Sequence, residues 1–235
     1  MCGSCALTTV DNTSNNHKME NIRDRDIEDN TKKLSDACYN GDIEVVEDIL
    51  SNKEVDINGV YLGYTPLIYA VRGDHLDIVR RILKHPGVIL GKQDDSNGFT
   101  ALHRACSKNL VSIVELLCQD SRCSPGVVNK EDSYGDTPLI WAVYGGNLYI
   151  VKELDMEGTD FSTKDSDGRT LIEVARERSN DEVLEYLIER NKVDSLLMIA
   201  AHNVARYVEN KADVEALEIP GTMRQYLARF VDDEE

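Results

Sequence analysis

Apolar and polar positions alternate along this chain in blocks that return on a fixed period. Between residues 60 and 185 four blocks open on a polar turn: Gly63-Tyr64-Thr65-Pro66-Leu67, Gly98-Phe99-Thr100-Ala101-Leu102-His103, Gly135-Asp136-Thr137-Pro138-Leu139 and Gly168-Arg169-Thr170-Leu171-Ile172. The threonines stand 35, 37 and 33 residues apart. Five residues after each comes an alanine (Ala70, Ala105, Ala142, Ala175), then an aliphatic pair (Ile78-Val79, Ile113-Val114, Ile150-Val151, Val183-Leu184). That spacing predicts two helices per block, a small residue letting them approach and the aliphatic pair forming the buried stripe of the second. A unit so short cannot bury its apolar side alone, so the pattern predicts a stacked solenoid. Leu34, Ala37-Cys38, Gly41-Asp42, Val45-Val46 and Ile49-Leu50 repeat the helical half without the Thr-Pro-Leu turn and predict an amino-terminal capping unit.

These motifs resemble the ankyrin repeat, over about residues 33 to 192. The resemblance implies an all-α solenoid of helix-turn-helix repeats with β-turn tips. Thr100, Leu102, His103 and Ala105 lie nearest the family pattern, and Thr65-Pro66-Leu67 and Thr137-Pro138-Leu139 carry its proline. Ile68 and Ile140 replace the family histidine, Asp74 and Asn109 replace the glycine between the helices, and Lys92 to Asp95 and Asn129 to Ser133 lie in lengthened connections. Asp and Asn accept a left-handed backbone better than most residues, so these turns are expected to survive. The organisation expected is an acidic disordered arm over 1–30, about five repeats over 31–192, the first a cap, and a helical tail over 193–235.

Composition narrows the partners. The formal charge of -17, with Asp232-Asp233-Glu234-Glu235 at the end, repels a phosphate polyanion and argues against nucleic acid; Arg80-Arg81 with Lys84 reads as a solvated helix face. The apolar runs are too short for a membrane span, and Met1-Cys2-Gly3-Ser4-Cys5 lacks a signal-peptide layout, so an intracellular protein, cytoplasmic or nuclear, is expected. Cys38 and Cys106 fall on the small-residue position of a first helix and are expected to pack as reduced thiols. Cys2 and Cys5 form a CxxC open to three readings: metal or redox chemistry, S-acylation, or a plain arm.

Candidate chemistry is sparse. His103 and His75 stand at repeat positions where a structural role explains them. No nucleophile elbow, P-loop, HExxH or dinucleotide fingerprint occurs, so neither catalysis, cofactor nor metal is expected. The ankyrin resemblance implies a concave face lined by turn tips and outward positions of the first helices, here Tyr61, Leu62, Tyr64, Tyr69, Arg72, Phe99, Arg104, Lys108, Tyr134, Trp141 and Tyr144. Tyr, Trp and Arg dominate interface energetics, so a protein target is expected there, with gap-covering between repeats as the alternative role of these rings.

Beyond Lys192, Ser195-Leu196, Ala200 and Val204 form a stripe at i, i+4 and i+8 with a serine able to cap it, and Val214, Leu217, Ile219-Pro220, Met223 and Tyr226-Leu227 make a second apolar set. This tail resembles a SOCS box. The resemblance implies that Ser195, Leu196, Ala200 and Val204 hold elongin C, within elongin B/C, and that Leu217, Ile219, Pro220, Met223, Tyr226 and Leu227 select a cullin. Ala200 stands where cysteine is usual and Glu218 replaces a proline. A sixth, degraded repeat acting as a cap is the other reading of the same tail.

Overall fold

The structure, a computed structural model, describes residues 12–156 and 158–192. Ten helices follow in chain order: α1 Asn12–Asn40, α2 Ile43–Asn52, α3 Pro66–Arg72, α4 Leu76–Leu83, α5 Ala101–Ser107, α6 Val111–Cys118, α7 Pro125–Val128, α8 Pro138–Gly145, α9 Leu148–Met156 and α10 Leu171–Glu177. A further helix, α11, occupies 181–192. The chain divides into two compact units, 1–171 and 172–235.

In the first unit the helices form two layers. The first helices of successive repeats pack side by side (α1 on α3, α3 on α5, α5 on α8), the second helices do the same (α2 on α4, α4 on α6, α6 on α9), and each repeat joins one of each. The alanines on which the period rests are fully enclosed (Ala70, Ala105, Ala142), as are the aliphatic pairs of α4, α6 and α9. Leu34, Ile49, Ile82, Leu139, Ile140 and Leu154 complete the core between the layers. In the second unit Val174, Ala175, Val183 and Leu187 are buried, and Ser179 turns the chain between α10 and α11 with φ 56°.

The threonines start the first helices as the pattern requires. Thr65 and Thr100 sit at the N-cap in extended geometry, their hydroxyls accepting from the N–H of Ile68 and of His103, and prolines 66 and 138 occupy the first helical position, where no N–H is needed. Asp74 and Asn109 take the left-handed backbone at φ 59° and 58°, in register with Gly146 at 67°, as their chemistry leads one to expect. Gly98 has a stricter reason to be glycine: at φ 69°, a Cβ there would lie 2.7 Å from the Ser133 hydroxyl oxygen of the next turn. Cys38 and Cys106 are fully buried free thiols, and burial pushes both well above the usual thiol range.

One boundary is corrected. Residues 12–30, expected to be disordered, belong to α1. No glycine or proline interrupts 12–40, so helix propagates from the anchored end at Thr31, Leu34, Ser35, Ala37 and Cys38. Polar bonds also hold the segment to the following loop. Asn30 Nδ2 donates to the Glu54 carbonyl at 3.0 Å, and Thr31 Oγ1 accepts the Asp56 N–H at 3.2 Å while donating to Ile27 O at 2.8 Å. A polar composition hid a helix because its attachment is itself polar. Residues 1–11, with Cys2 and Cys5, and the tail 193–235, with every elongin and cullin candidate from Ser195 to Leu227, lie outside the described residues.

A candidate protein-binding face

Three of the turns, those before Thr100, Thr137 and Thr170, are built before anything can bind to them, each on one aspartate. Asp94 Oδ1 accepts the N–H groups of Ser96, Asn97 and Phe99; Asp132 Oδ1 accepts those of Tyr134 and Asp136; Asp165 Oδ1 accepts those of Asp167 and Arg169. All three are buried. Burial works to raise Asp94 and Asp165, but the donors around them outweigh it and hold both carboxyls below the usual range. Consecutive turns are then tied together, Asp95 N–H donating to Gly63 O and Ser133 N–H to Asn97 O, each at 2.9 Å. Ser166 N–H donates to Asp136 Oδ1 at the same distance.

The fourth residue after each of the first three threonines plugs into its own turn. Tyr69 donates its hydroxyl to Tyr61 O at 3.0 Å, Arg104 Nη2 donates to Asp94 Oδ2 at 2.9 Å, and Trp141 Nε1 donates to Asp132 Oδ2 at 2.9 Å. Their rings and stems run into one another. Tyr69 meets Tyr64 edge-on at 5.4 Å, Arg104 lies 4.5 Å over Phe99, and Phe99 packs on Trp141 at 5.0 Å between ring centres. Trp141 continues to Tyr144, whose hydroxyl donates to Asp165 Oδ2 at 2.7 Å and accepts from Arg169 Nη2 at 2.9 Å. Burial and the Asp165 charge raise the Tyr144 phenol to about 12.

This corrects part of the sequence-derived face. Tyr69 and Phe99 are buried, Phe99 to 3% exposure, and Arg104, Trp141 and Tyr144 are half-buried with their polar ends committed inside the protein. Interface-type residues here serve to lock turns to helices, because each has a turn carboxylate or carbonyl within reach. Left on the surface are Leu62, 75% exposed, Tyr134, 59% exposed, and Lys108, with Tyr61, Tyr64 and Arg72 half-exposed beside them. Leu62 and Tyr134 are turn tips. Leu62 also holds a left-handed backbone, φ 46°, which is unfavourable for a leucine. The three aspartates were missed by sequence reading; the signal was there, an acid five or six residues before each of Thr100, Thr137 and Thr170.

His103 performs the structural task expected of it. Its Nδ1 accepts the Thr100 N–H at 3.2 Å, closing a capping box, so Nε2 carries the proton and donates to the Asp136 carbonyl at 3.1 Å. Burial holds this imidazole down to about 4, hence neutral. Where Ile140 replaces the histidine, Thr137 Oγ1 is buried without a hydrogen-bond partner among the described residues. His75 Nε2 likewise donates to the Tyr39 carbonyl of the preceding repeat at 3.0 Å.

The family model for ankyrin repeats, in three copies, matches residues 34–129, 91–165 and 119–196. The chain belongs to the ankyrin repeat family. Among similar ankyrin-repeat sequences, Palmitoyltransferase AKR1 of Lachancea kluyveri is 30% identical over 196 residues, covering 80% of this chain and 25% of that protein. An ankyrin repeat protein of Rickettsia bellii is 30% identical over 131 residues, 55% of this chain and 70% of its own length. Inversin of Danio rerio is 25% identical over 171 residues, 60% of this chain and 17% of its own. The chain thus spans about a quarter of the palmitoyltransferase it matches. Among the described residues no helix is long and apolar enough to cross a membrane.

Proposed function

We propose that this ankyrin-repeat protein is a non-enzymatic interaction module that captures a protein target on its turn tips and adjoining first helices. The observation that carries the reading is Leu62, a large apolar side chain on the surface and on a backbone that glycine would occupy with less strain. Strain of this kind, retained without burial to compensate it, is characteristic of recognition sites. Tyr134 presents a second large side chain from another turn, and Arg72 and Lys108 supply cations at the ends of the first helices. Asp132, bonded to the Tyr134 N–H, and Tyr69, bonded to the Tyr61 carbonyl, brace the two turns, so binding loses little ordering entropy. Leu62→Asp together with Tyr134→Ala should weaken a target at least tenfold while the melting temperature stays within a few degrees; equal binding by the double variant refutes the assignment.

The tail extends the proposal. Ser195, Leu196, Ala200 and Val204, with Leu217, Ile219, Pro220, Tyr226 and Leu227, support docking to elongin B/C and a cullin, so that the captured protein is delivered to a ubiquitin ligase. The contribution of the chain is then effective concentration and orientation between two partners. The competing reading is an ankyrin scaffold without a ligase link, its tail a cap, and the continuation of the family match to residue 196 favours it at Ser195 and Leu196. Co-purification with elongin B and C, with and without residues 193–235, separates them. Capture abolished by Leu196→Asp supports the adaptor; no capture by the unaltered chain, where a known receptor succeeds, leaves the scaffold.

A further inference from the structure

Acidic residues outnumber basic ones 43 to 26 in this chain, so carboxylates are in ample supply for its cations. Three arginines in or near the turns and connections take one: Arg104 pairs with Asp94 at 2.9 Å, Arg122 with Asp120 at 2.6 Å, and Arg169 with Asp165 and Asp167 at 2.7 and 2.8 Å. Arg72, the last residue of α3, does not. Its guanidinium stacks 4.0 Å from the centre of the Tyr64 ring, with Tyr39 and Tyr69 each at 6.0 Å, and makes neither ion pair nor hydrogen bond among the described residues.

The repeat register explains why. Where the later repeats carry Asp94, Asp132 and Asp165 before the threonine, this one has Gly59 and Val60, so its turn offers no carboxylate. Arg72 stands seven residues after Thr65, the position at which Tyr144 follows Thr137, but Tyr144 reaches the acid of the next turn and Arg72 does not. Lys108, at the end of the neighbouring first helix, donates its ammonium to the Arg72 carbonyl at 2.8 Å and so places a second cation beside this residue. Stacking on the aromatic face fixes the guanidinium plane while leaving its N–H edge for a forked acceptor. Leu62 lies two residues from Tyr64 on the same turn.

We propose that Arg72, held on Tyr64 and flanked by Lys108, receives a carboxylate from a protein partner, and that the segment bound is acidic with an aliphatic or aromatic side chain beside the acid to cover Leu62. The inference deepens the protein-binding reading and rests on it. The net charge of the whole chain is adverse to an acidic partner at long range, so the contact depends on the local pair of cations and strengthens relative to a basic competitor only at short range.

The test is a random-peptide display selection on the full chain, followed by fluorescence anisotropy with a labelled selected peptide. Selected peptides should share an Asp or Glu next to a large apolar residue. Changing that acid to its amide should weaken binding to the unaltered chain at least tenfold, Arg72→Gln should do the same with an unchanged melt, Arg72→Lys should fall between, and the amide peptide should lose nothing further on Arg72→Gln. The peptide-side change needs no altered protein, so a variant that misfolds does not spoil the test. Selected peptides that lack an acid, or bind equally as amides, overturn the carboxylate site; if they still lose affinity on Leu62→Asp, the binding face stands without it. Failure to select any peptide, or binding indifferent to both Arg72 and Leu62, removes both.

Discussion

Arg122 Nη2 donates to the Leu83 carbonyl at 2.6 Å, reaching from the connection after α6 to the end of α4 in the preceding repeat. Its Nη1 donates to His85 O at 2.9 Å and to Val88 O at 3.4 Å, and Asp120 holds the other edge of the guanidinium through Nε at 2.8 Å and Nη2 at 2.6 Å. Carbonyls at a helix end have no partner within the helix, and here one side chain from the next repeat satisfies that of Leu83 together with two in the connection beyond it. The Asp120 carboxylate bonded to Arg122 keeps its own proton affinity below the usual range and raises that of the guanidinium.

Arg122→Ala is therefore expected to cost about 2 kcal/mol or more, from charge-assisted bonds lost and carbonyls left half-satisfied. Arg122→Lys should recover little, because one ammonium cannot serve carbonyls and carboxylate together. Urea unfolding of both variants measures this. A loss of a few tenths would mean that water replaces the guanidinium at the α4 terminus.

Trp141→Ala should behave as a core change although the ring is only half-buried. It removes the bond to Asp132 and the packing on Phe99 and Tyr144 at once, with a cost of about 2 kcal/mol or more. Leu139→Ala, at 0% exposure between the layers, should cost about 2 to 5 kcal/mol through the cavity left behind. Thermal melts check both, and an unchanged melt for Trp141→Ala would return that ring to the binding face.

Leu62→Gly tests strain against function. Glycine relieves the left-handed backbone, a benefit of about 1 kcal/mol that its greater freedom in the unfolded chain partly offsets. Stability should hold or rise slightly while target affinity falls. A destabilised protein with unaltered affinity would show that Leu62 packs rather than binds.

His103 sets a pH dependence. Its folded pKa, about 4, lies below the ordinary 6.5, so the unfolded chain binds a proton that the folded chain refuses between those values. Stability from this group is complete above 6.5 and falls as pH drops toward 4, by about 3 kcal/mol in all. His103→Gln, measured beside the unaltered chain, should be less stable at neutral pH, and the difference should shrink between pH 6.5 and 4. A pH-independent difference would place the imidazole proton elsewhere.

Much of the fold was legible in the sequence because its signals are local and repeated. Gly-X-Thr fixes a turn and a cap, Ala70 and its counterparts fix a close approach, and Ile78-Val79 and its counterparts fix a buried stripe. The face was less legible. Tyr69, Arg104 and Trp141 have the chemistry of interface residues, and only the placement of Tyr61 O, Asp94 and Asp132 reveals that their polar ends are already engaged. Likewise α1 was obscured by composition, since Asn30 and Thr31 anchor it through hydrogen bonds that no hydrophobic periodicity records.

The central claim, that turn tips and first helices take the partner, is tested most directly by site-specific photocrosslinking in cells. A benzophenone amino acid at Leu62 or at Tyr134 should link the chain to one and the same protein, identified by mass spectrometry. At Tyr149, equally exposed but on the second-helix layer at 76%, it should not. Linkage from Tyr149 with none from Leu62 or Tyr134 would contradict the account and move recognition to the opposite layer.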